Sequence, residues 1–240
     1  MPPLVIAHRT CPNHAPENSL AGIRAAATLG ADIVEVDVRR SREGVPVLFH
    51  DQLLVRTAWP PLPVPVRWVP AVVLTRLGLR GGDGERVPTL SEALSALPDG
   101  LGVAIDTKDP GAAPVTLAAV HDAGLEDRAL LWSEHEEAVR YYGRHAAPEQ
   151  VALLRDSLDD VSLDRLVADA NEFGAKAVSV PEVAATEAFI DRAAGRGVGV
   201  FAWFRTYAAQ RQGMAPGLRG VVTDWVAEAV DAFSSPTADQ

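Results

Sequence analysis

The feature that most constrains the fold is a regular alternation of short Val- and Ile-rich runs with longer Ala-rich segments of helical period. Such alternation is typical of βα units, because neighbouring parallel strands need a crossover, usually a helix, between them. The pattern predicts eight strands, at residues 4–8, 32–38, 101–107, 129–133, 150–154, 176–180, 197–203 and 219–223. It predicts eight helices, at residues 19–29, 90–97, 115–123, 135–144, 163–173, 185–196, 207–214 and 225–233.

Eight such units in 240 residues favour a closed barrel, since a (β/α)8 barrel typically needs roughly 250 residues. A doubly wound open sheet is the alternative, but His8, Arg9 and Thr10 stand where its glycine-rich turn belongs. We therefore predict an α/β fold, a single (β/α)8 TIM barrel over residues 1–240. Residues 52–86, rich in proline and then in glycine, forbid a long helix and predict a small insertion between strand 2 and helix 2.

Composition narrows the function classes. The chain has 22 Lys and Arg against 32 Asp and Glu, a net charge of −10, which argues against nucleic-acid binding and against stable association with anionic membranes. We expect a small-molecule partner. The single cysteine, Cys11, excludes an internal disulfide, and no signal peptide or long apolar run is present, so we expect a cytoplasmic protein. The sequence leaves the oligomeric state open.

Two acidic side chains interrupt the second predicted strand. Glu35 and Asp37 are two residues apart, so both point to the same side of the strand, which in a barrel is the interior. Asp106 and Lys108 likewise share one face at the end of the third strand, where barrel enzymes place their active sites. Carboxylates in a confined space need neutralisation, and Mg²⁺ and Ca²⁺ prefer oxygen ligands, so the three acids predict a divalent metal site.

Two histidines also end apolar runs. His8 and Arg9 follow the first strand, and His50 follows the short apolar run at residues 45–49. Histidine gives or takes a proton near neutral pH, and the planar guanidinium of arginine suits a phosphate group. These residue types on one rim predict acid/base chemistry on an anionic substrate.

The order and spacing of these motifs resemble the glycerophosphodiester phosphodiesterase family over nearly the whole chain. The first motifs are His8-Arg9 and residues 16–19 (PENS), 30–38 (GADIVEVDV) and 44–51 (GVPVLFHD). The likeness continues at Leu53, Arg56-Thr57, residues 87–90 (VPTL), residues 105–108 (IDTK), Trp132-Ser133, Trp203 and residues 220–224 (GVVTD).

The resemblance implies a phosphodiesterase-type TIM barrel, a hydrolase of lipid and glycerol metabolism with one divalent metal ion, Mg²⁺ or Ca²⁺. It implies cleavage of glycerophosphodiesters to glycerol 3-phosphate and an alcohol. Carried over by position, the metal ligands are Glu35, Asp37 and Asp106. The catalytic residues are His8, His50 and Arg9, the phosphate is held by Arg9 and Lys108, and Trp203 and Ser133 line the substrate pocket.

The chain departs from the family pattern after Trp203, at residues 204–206 (FRT), and at two site positions. Thr10 stands where a glycine usually follows His-Arg, and Asp106 stands where a glutamate is usual. These departures keep open a catalytically silent barrel that binds a phosphorylated ligand. A lysophospholipase D-type lipid phosphodiesterase is a second alternative, because apolar residues of the insertion would provide an entrance for a lipid: Trp59, Leu62, Val64, Trp68, Val69, Val72, Val73 and Leu74.

Overall fold

The computed structural model describes residues 2–155, 162–211 and 215–234. Its strands are β1 Leu4–Ala7, β2 Ile33–Arg40, β3 Pro46–Leu48, β4 Ala58–Trp59, β5 Gly78–Leu79, β6 Gly102–Thr107, β7 Ala129–Ser133, β8 Val151–Leu154, β9 Ala177–Pro181, β10 Gly199–Trp203 and β11 Gly220–Thr223. Its α-helices are α1 Leu20–Thr28, α2 Ala71–Leu74, α3 Leu90–Ser95, α4 Ala113–Asp122, α5 Glu136–His145, α6 Leu163–Phe173, α7 Glu187–Ala194, α8 Tyr207–Arg211 and α9 Val226–Ser234.

Eight parallel strands close into a barrel in the order β1, β2, β6, β7, β8, β9, β10, β11. Closure comes from β1, which pairs with β11 on one side and with β2 on the other, through the pairs Ile6↔Ile33 and Ala7↔Val34. A doubly wound sheet has two open edges, so this ring excludes that alternative and confirms the predicted (β/α)8 barrel. The extent of the single domain, residues 1–240, stays a prediction.

The eight barrel strands lie where the alternation predicts them, with shifts at their ends. Strand β2 runs to Arg40 instead of Val38, because its last residues pair antiparallel with β3 outside the barrel order. Strand β1 ends at Ala7, and a short 3₁₀ turn, His8–Thr10, follows it. The helix predicted at residues 207–214 is observed as α8, and residues 212–214 lie outside the described part of the chain.

The core has two layers that follow from the alternation of side chains along each strand. Inside the barrel, apolar side chains from several strands pack together, among them Ile6, Trp132 and Phe201. Outside it, Val34, Val36 and Val38 of β2 pack with the apolar faces of the surrounding helices. On the interior face of β2, Ile33 joins the inner cluster and is followed by Glu35 and Asp37, so a strand buried on both sides carries charge on one of them.

Several helices begin at side chains that cap the first turn. Ser19, Ser162 and Thr186 accept hydrogen bonds from backbone N–H groups of α1, α6 and α7, and Thr89 forms a capping box with Glu92 at the start of α3. Such caps satisfy N–H groups that have no partner within the helix. Across the described residues, every helix is too short or too polar to cross a membrane.

Residues 52–86, which we call the insertion, lie between β3 and α3. They carry the antiparallel pair β4–β5 and the short helix α2. Apolar side chains of the insertion, including Leu54, Val66 and Leu74, form a small core with Val47 and Phe49 from the β3 region. Its five arginines and two acidic residues give it a net charge of +3, which leaves −13 on the rest of the chain.

Candidate active site

Three carboxylates meet inside the barrel at the carboxyl ends of β2 and β6. Asp37 and Asp106 are register partners on these adjacent strands, and Glu35 lies one inward position earlier on β2. All three residues are buried, and one carboxylate oxygen from each lies within 4.8 Å of the other two. Asp106 reaches this cluster although its side chain is one methylene shorter than the glutamate usual in the resembled family.

Two cations contact the carboxylates unequally. Nζ of Lys108 lies 2.6 Å from Oδ2 of Asp106 and 3.6 Å from Oδ1 of Asp37, and Nε of Arg9 lies 3.7 Å from Oδ2 of Asp37. Burial opposes ionisation of Asp37, but these cations and the nearby His50 lower its pKa to about 2. Burial and the neighbouring carboxylates instead hold the pKa of Glu35 well above its usual value. Of these two carboxyl groups, Glu35 is therefore the one whose ionised form is disfavoured in the absence of a bound cation.

The loop after β1 brings Arg9 against the cluster in an unusual backbone conformation. Arg9, Thr10 and Cys11 have φ angles of 44°, 66° and 82°, a region that non-glycine residues rarely adopt. The backbone N–H of Arg9 donates to Oε2 of Glu35 at 2.6 Å, and the hydroxyl of Thr10 accepts from the backbone N–H of Ser19 at 3.1 Å. Thr10 therefore occupies the left-handed conformation that glycine would favour, and its hydroxyl helps to hold the loop.

Asn18 fixes the orientation of Asp37. Its side-chain Nδ2 donates to Oδ2 of Asp37 at 2.8 Å, and its Oδ1 accepts from the backbone N–H of Asp37 at 2.9 Å. Asn18 also has a positive φ, 58°, and its backbone N–H donates to the carbonyl of Arg9 at 2.9 Å. One asparagine thus ties the loop after β1 to the acidic strand β2.

Each predicted catalytic histidine is paired with an aspartate. Nδ1 of His8 lies 2.7 Å from Oδ1 of Asp224, which follows β11, and Nδ1 of His50 lies 2.7 Å from Oδ1 of Asp51. Because Nδ1 is occupied, Nε2 is the ring atom available for proton transfer in both residues. Asp51 also accepts a hydrogen bond from Nε of Arg56 at 2.7 Å. The two pairs therefore differ in charge, because only the carboxylate of Asp51 is shared with an arginine.

A cavity of about 100 Å³ opens above the carboxylates. Its lining residues are His8, Arg9, Glu35, Asp37, Asp106, Lys108, Trp132, Leu154, Ser179, Trp203 and Val222. Among described residues, no hydrogen-bond partner is present for Nε1 of Trp132 or of Trp203, although both atoms are buried. The structure thus brings most of the predicted site residues to one cavity, with two indole N–H groups in its wall.

Two predicted site residues lie outside this lining. Ser133 points away from the cavity, where its hydroxyl donates to the carbonyl of Thr107 at 2.7 Å and accepts from the backbone N–H of His135 at 3.1 Å. His50 lies beside the cavity, and its carbonyl accepts a hydrogen bond from Arg39 at 2.8 Å. The preceding residue of β7, Trp132, takes the inward position because it is the register partner of Asp106.

Sequence reasoning assigned no role to several residues that contact the site. Asp224, Asn18 and Asp51 lie within the motifs that carry the family resemblance, so the motifs marked their importance but not their contacts. For Asp224 and Asn18, the distance along the chain to the partner residue hides the pairing. Ser179 and Leu154 lie on ordinary apolar strands, and the sequence around them gives no signal.

The donor set fits a hard divalent cation. Three carboxylates offer only oxygen atoms, and the described part of the chain brings neither a thiolate nor a histidine into the cluster. Oxygen ligands are those that Mg²⁺ and Ca²⁺ prefer, whereas zinc sites usually include nitrogen or sulfur. A cation of charge +2 would also relieve the repulsion that raises the pKa of Glu35.

Comparison with known proteins finds relatives in sequence and in fold. A glycerophosphodiester phosphodiesterase from Caldanaerobacter subterraneus is 30% identical over 163 residues, which are 64% of this chain and 67% of that protein. The structure of an Oleispira antarctica phosphodiesterase in complex with the product sn-glycerol-3-phosphate is 24% identical, with a TM-score of 0.78 and 98% of each chain covered. A Thermotoga maritima glycerophosphodiester phosphodiesterase has a TM-score of 0.78 at 23% identity, covering 96% of this chain and 98% of its own.

The model of the glycerophosphoryl diester phosphodiesterase family matches residues 8–228, a range that includes every carboxylate, histidine and cation of the site. The match therefore extends from the histidine that follows β1 into the last described helix, α9. This chain belongs to the glycerophosphoryl diester phosphodiesterase family.

Proposed function

We propose that this protein is a metal-dependent phosphodiesterase that cleaves glycerophosphodiesters to glycerol 3-phosphate and an alcohol. The observation that carries the proposal is the buried cluster of Glu35, Asp37 and Asp106 beside two aspartate-paired histidines. The naming of similar proteins as glycerophosphodiester phosphodiesterases and the product bound to the Oleispira antarctica protein support the same substrate class.

The three carboxylates are the proposed ligands of one divalent ion, Mg²⁺ or Ca²⁺. When bound, such an ion acts as a Lewis acid that stabilises negative charge on the phosphate oxygens. Arg9 and Lys108 lie at the same cavity and supply two further positive charges for the phosphate. Three carboxylates, one divalent ion and these two cations sum to +1, so a site inside an acidic protein accepts an anionic substrate.

The histidines are the proposed acid and base. One takes the proton from the attacking oxygen through Nε2, and the other gives a proton to the alcohol oxygen that leaves. Asp224 and Asp51 accept hydrogen bonds from Nδ1 and thereby fix the orientation and tautomer of the two rings. The attacking oxygen is the neighbouring glycerol hydroxyl, and water then opens the resulting cyclic phosphate.

Two tryptophans are proposed to bind the glycerol portion. Nε1 of Trp132 and Nε1 of Trp203 are buried in residues that line the cavity, and a buried N–H without an acceptor costs free energy. Glycerol hydroxyls would accept these hydrogen bonds. The apolar ring faces would meanwhile contact the carbon chain of the substrate.

The direct test is release of glycerol 3-phosphate from glycerophosphocholine by the purified protein, with Mg²⁺, with Ca²⁺ and with EDTA. We expect turnover with at least one ion and its loss in EDTA. Absence of turnover with every ion and every glycerophosphodiester would reject the function.

A second measurement separates metal binding from catalysis. Added Mg²⁺ or Ca²⁺ should raise the melting temperature of the wild type, and Glu35→Gln should reduce that increase because it removes a charged ligand. Glu137→Gln, an exposed change on α5, is the matched control and should respond to the ion as the wild type does. An undiminished response of Glu35→Gln would remove Glu35 from the ligand set.

The variant Asp224→Asn tests the histidine pairs. We expect kcat to fall by about tenfold or more with little change in KM, because an amide does not hold the His8 ring in the tautomer that the carboxylate selects. Unchanged kcat in Asp224→Asn would exclude the pair from the rate-limiting step.

A lysophospholipase D-type activity is a second candidate, favoured by the exposed apolar side chains of the insertion. Of the eight large apolar residues exposed in the described chain, six belong to it: Leu53, Val55, Trp59, Trp68, Val72 and Val73. Half of the entrance predicted from sequence is wrong, because Leu62, Val64, Val69 and Leu74 pack in the small core of the insertion. Higher kcat/KM for lysophosphatidylcholine than for glycerophosphocholine would support this candidate.

A further inference from the structure

A second cavity opens on the same rim of the barrel. It has a volume of about 320 Å³, against about 100 Å³ for the cavity above the carboxylates. It lies between the end of β2, the insertion and the loops after β6 and β7, and its charged lining includes Arg39, Arg67 and Glu134. Lys108 lines both cavities. A ligand with its phosphate at Lys108 therefore has room to extend into the larger one, which we call the rim cleft.

The cation of Arg39 has no acidic partner in the described residues. Its Nε donates to the carbonyl of His50 at 2.8 Å and its Nη1 to the carbonyl of Lys108 at 3.2 Å, while no carboxylate of the described residues lies within 4.0 Å of its guanidinium. Its neighbour in sequence differs, since Arg40 makes two hydrogen bonds to Asp109, at 2.9 and 3.1 Å. Two adjacent arginines of one strand thus line the rim cleft, one neutralised by a carboxylate and one not.

Burial makes this difference significant. Arg39 and Arg9 are both partly buried, but Arg9 lies 3.6 Å from Glu17 and 3.7 Å from Asp37, whereas Arg39 forms no ion pair with a described carboxylate. A charge withdrawn from water is normally balanced by an opposite charge or a ligand. Carbonyl oxygens satisfy two of the N–H groups of Arg39, and the nearest described carboxylates act on its charge only from beyond ion-pair distance.

A second arginine faces the rim cleft from the insertion. Arg67 is exposed and lies over the ring of Trp68 at 6.0 Å, and no ion pair joins it to a described acidic residue. In total the lining holds three arginines and Lys108 against Asp109 and Glu134, a net charge of +2. The rim cleft is thus electropositive within a chain of net charge −10.

We propose that the rim cleft binds a phosphate monoester carried on the alcohol portion of the substrate, with Arg39 and Arg67 as its ligands. This inference rests on the proposed function and narrows its substrate class to glycerophosphodiesters with a phosphorylated alcohol. The guanidinium fork suits a phosphate because it donates two parallel hydrogen bonds. The rim cleft, which is the larger cavity, binds the phosphorylated alcohol portion of the diester, and the smaller cavity binds the glycerol portion.

Two substrates that differ only in the monoester test the proposal, glycerophosphoinositol and glycerophosphoinositol 4-phosphate. We expect kcat/KM of the wild type to be at least about tenfold higher for the phosphorylated substrate, the size typical of a hydrogen bond between charged groups. Arg39→Gln and Arg67→Gln should each lower this ratio. The ratio cancels any loss common to both substrates, such as a shift of His50 when Arg39 is replaced.

The control is Arg76→Gln, which removes an exposed arginine of the insertion that does not line the rim cleft. It should leave both the ratio and the activity on glycerophosphoinositol unchanged. A ratio near one in the wild type, or an equal decrease in Arg76→Gln, would overturn the proposal. Failure to hydrolyse either substrate or glycerophosphocholine would instead reject the proposed function.

Inorganic phosphate distinguishes a substrate subsite from a site for free phosphate. Added during hydrolysis of glycerophosphoinositol 4-phosphate, it should compete, and the inhibition should weaken in Arg67→Gln. If inorganic phosphate changed the rate on glycerophosphoinositol in an Arg67-dependent way while the wild type showed no preference between the substrates, the cleft would be a free-anion site and the proposal would be wrong.

Discussion

Replacing Gly22 by alanine should destabilise the barrel at the loop that carries Arg9. Gly22 lies in the first turn of α1, where Gly→Ala normally stabilises a helix by about 1 kcal/mol. Here a Cβ would lie 2.2 Å from the carbonyl oxygen and 2.3 Å from the hydroxyl oxygen of Thr10. Because a relaxed carbon–oxygen contact is about 3.3 Å, helix or loop must move by about 1 Å.

Helix propensity and the steric clash change the free energy of unfolding in opposite directions, and we expect the clash to dominate. Overpacking a buried site costs about 1–3 kcal/mol, and the atoms contacted belong to a loop with three consecutive positive φ angles, which adjusts poorly. Since the loop adjusts poorly, we take the upper end of that range, about 3 kcal/mol, and subtract the gain in helix propensity of about 1 kcal/mol, which leaves a net loss of about 2 kcal/mol. For a chain of this length that lowers the melting temperature by about 4–8 °C. Displacement of Arg9 by about 1 Å should reduce kcat/KM by about 10- to 100-fold.

Thermal unfolding followed by circular dichroism measures the first effect, and hydrolysis of glycerophosphocholine measures the second. The control is Gly195→Ala at the end of α7, where a Cβ would lie 3.4 Å from the nearest atom, the carbonyl oxygen of Asp191. This variant should melt at or slightly above the wild-type temperature. A melting temperature of Gly22→Ala equal to or above that of the wild type would refute the steric argument.

Three further outcomes follow from the structure. Asn18→Gly keeps the positive φ but removes both hydrogen bonds to Asp37, so calorimetric titration should show metal affinity about 10- to 100-fold weaker. The thiol of Cys11 is fully buried, and burial raises its pKa to about 11, so a thiol reagent at pH 8 should label the native protein far more slowly than the denatured one. Arg86 lowers the pKa of Glu92 to about 2, so Glu92 stabilises the fold above about pH 4.5 and progressively less as the pH falls towards 2. By chemical denaturation, Glu92→Gln should therefore cost about 1 kcal/mol at pH 7 and less at pH 3.

The barrel could be predicted because each of its strands is buried on both faces. Burial on both faces favours continuous Val- and Ile-rich runs in the strands, whereas apolar residues in the crossover helices recur with the helical period. Strands and helices can therefore both be recognised in the sequence. Strands β4 and β5 have two residues each, too few for any periodicity to appear. The sequence therefore predicts the insertion only as a break in the alternation of strands and helices. It does not predict the β4–β5 pair or the small core of the insertion.

The acidic residues of the site could also be predicted from the burial of the barrel strands on both faces. Glu35 and Asp37 are conspicuous on a strand that should be apolar, and strand alternation alone sends both to the barrel interior. The pairing of His8 with Asp224 could not be predicted from the sequence, because the two residues are 216 positions apart and only barrel closure brings them together. Ser133 and Trp132 are adjacent on β7, so their side chains point to opposite faces of the strand. The motif contains both residues, and only the strand register shows that Trp132, not Ser133, faces the cavity.

The charge of the insertion has a consequence for how substrate arrives. Outside the insertion the chain carries −13, which repels a phosphodiester at long range, whereas the insertion carries +3 at the edge of the catalytic rim. Arg56 and Arg86 are paired with acids outside the insertion, but Arg67, Arg76 and Arg80 form no ion pair with a described residue. These three cations attract an anion that diffuses over the surface towards the cavity mouth. Screening acts over about 8–10 Å at physiological ionic strength. Salt would thus slow productive encounter more than the chemical step, and the insertion would work as an electrostatic guide.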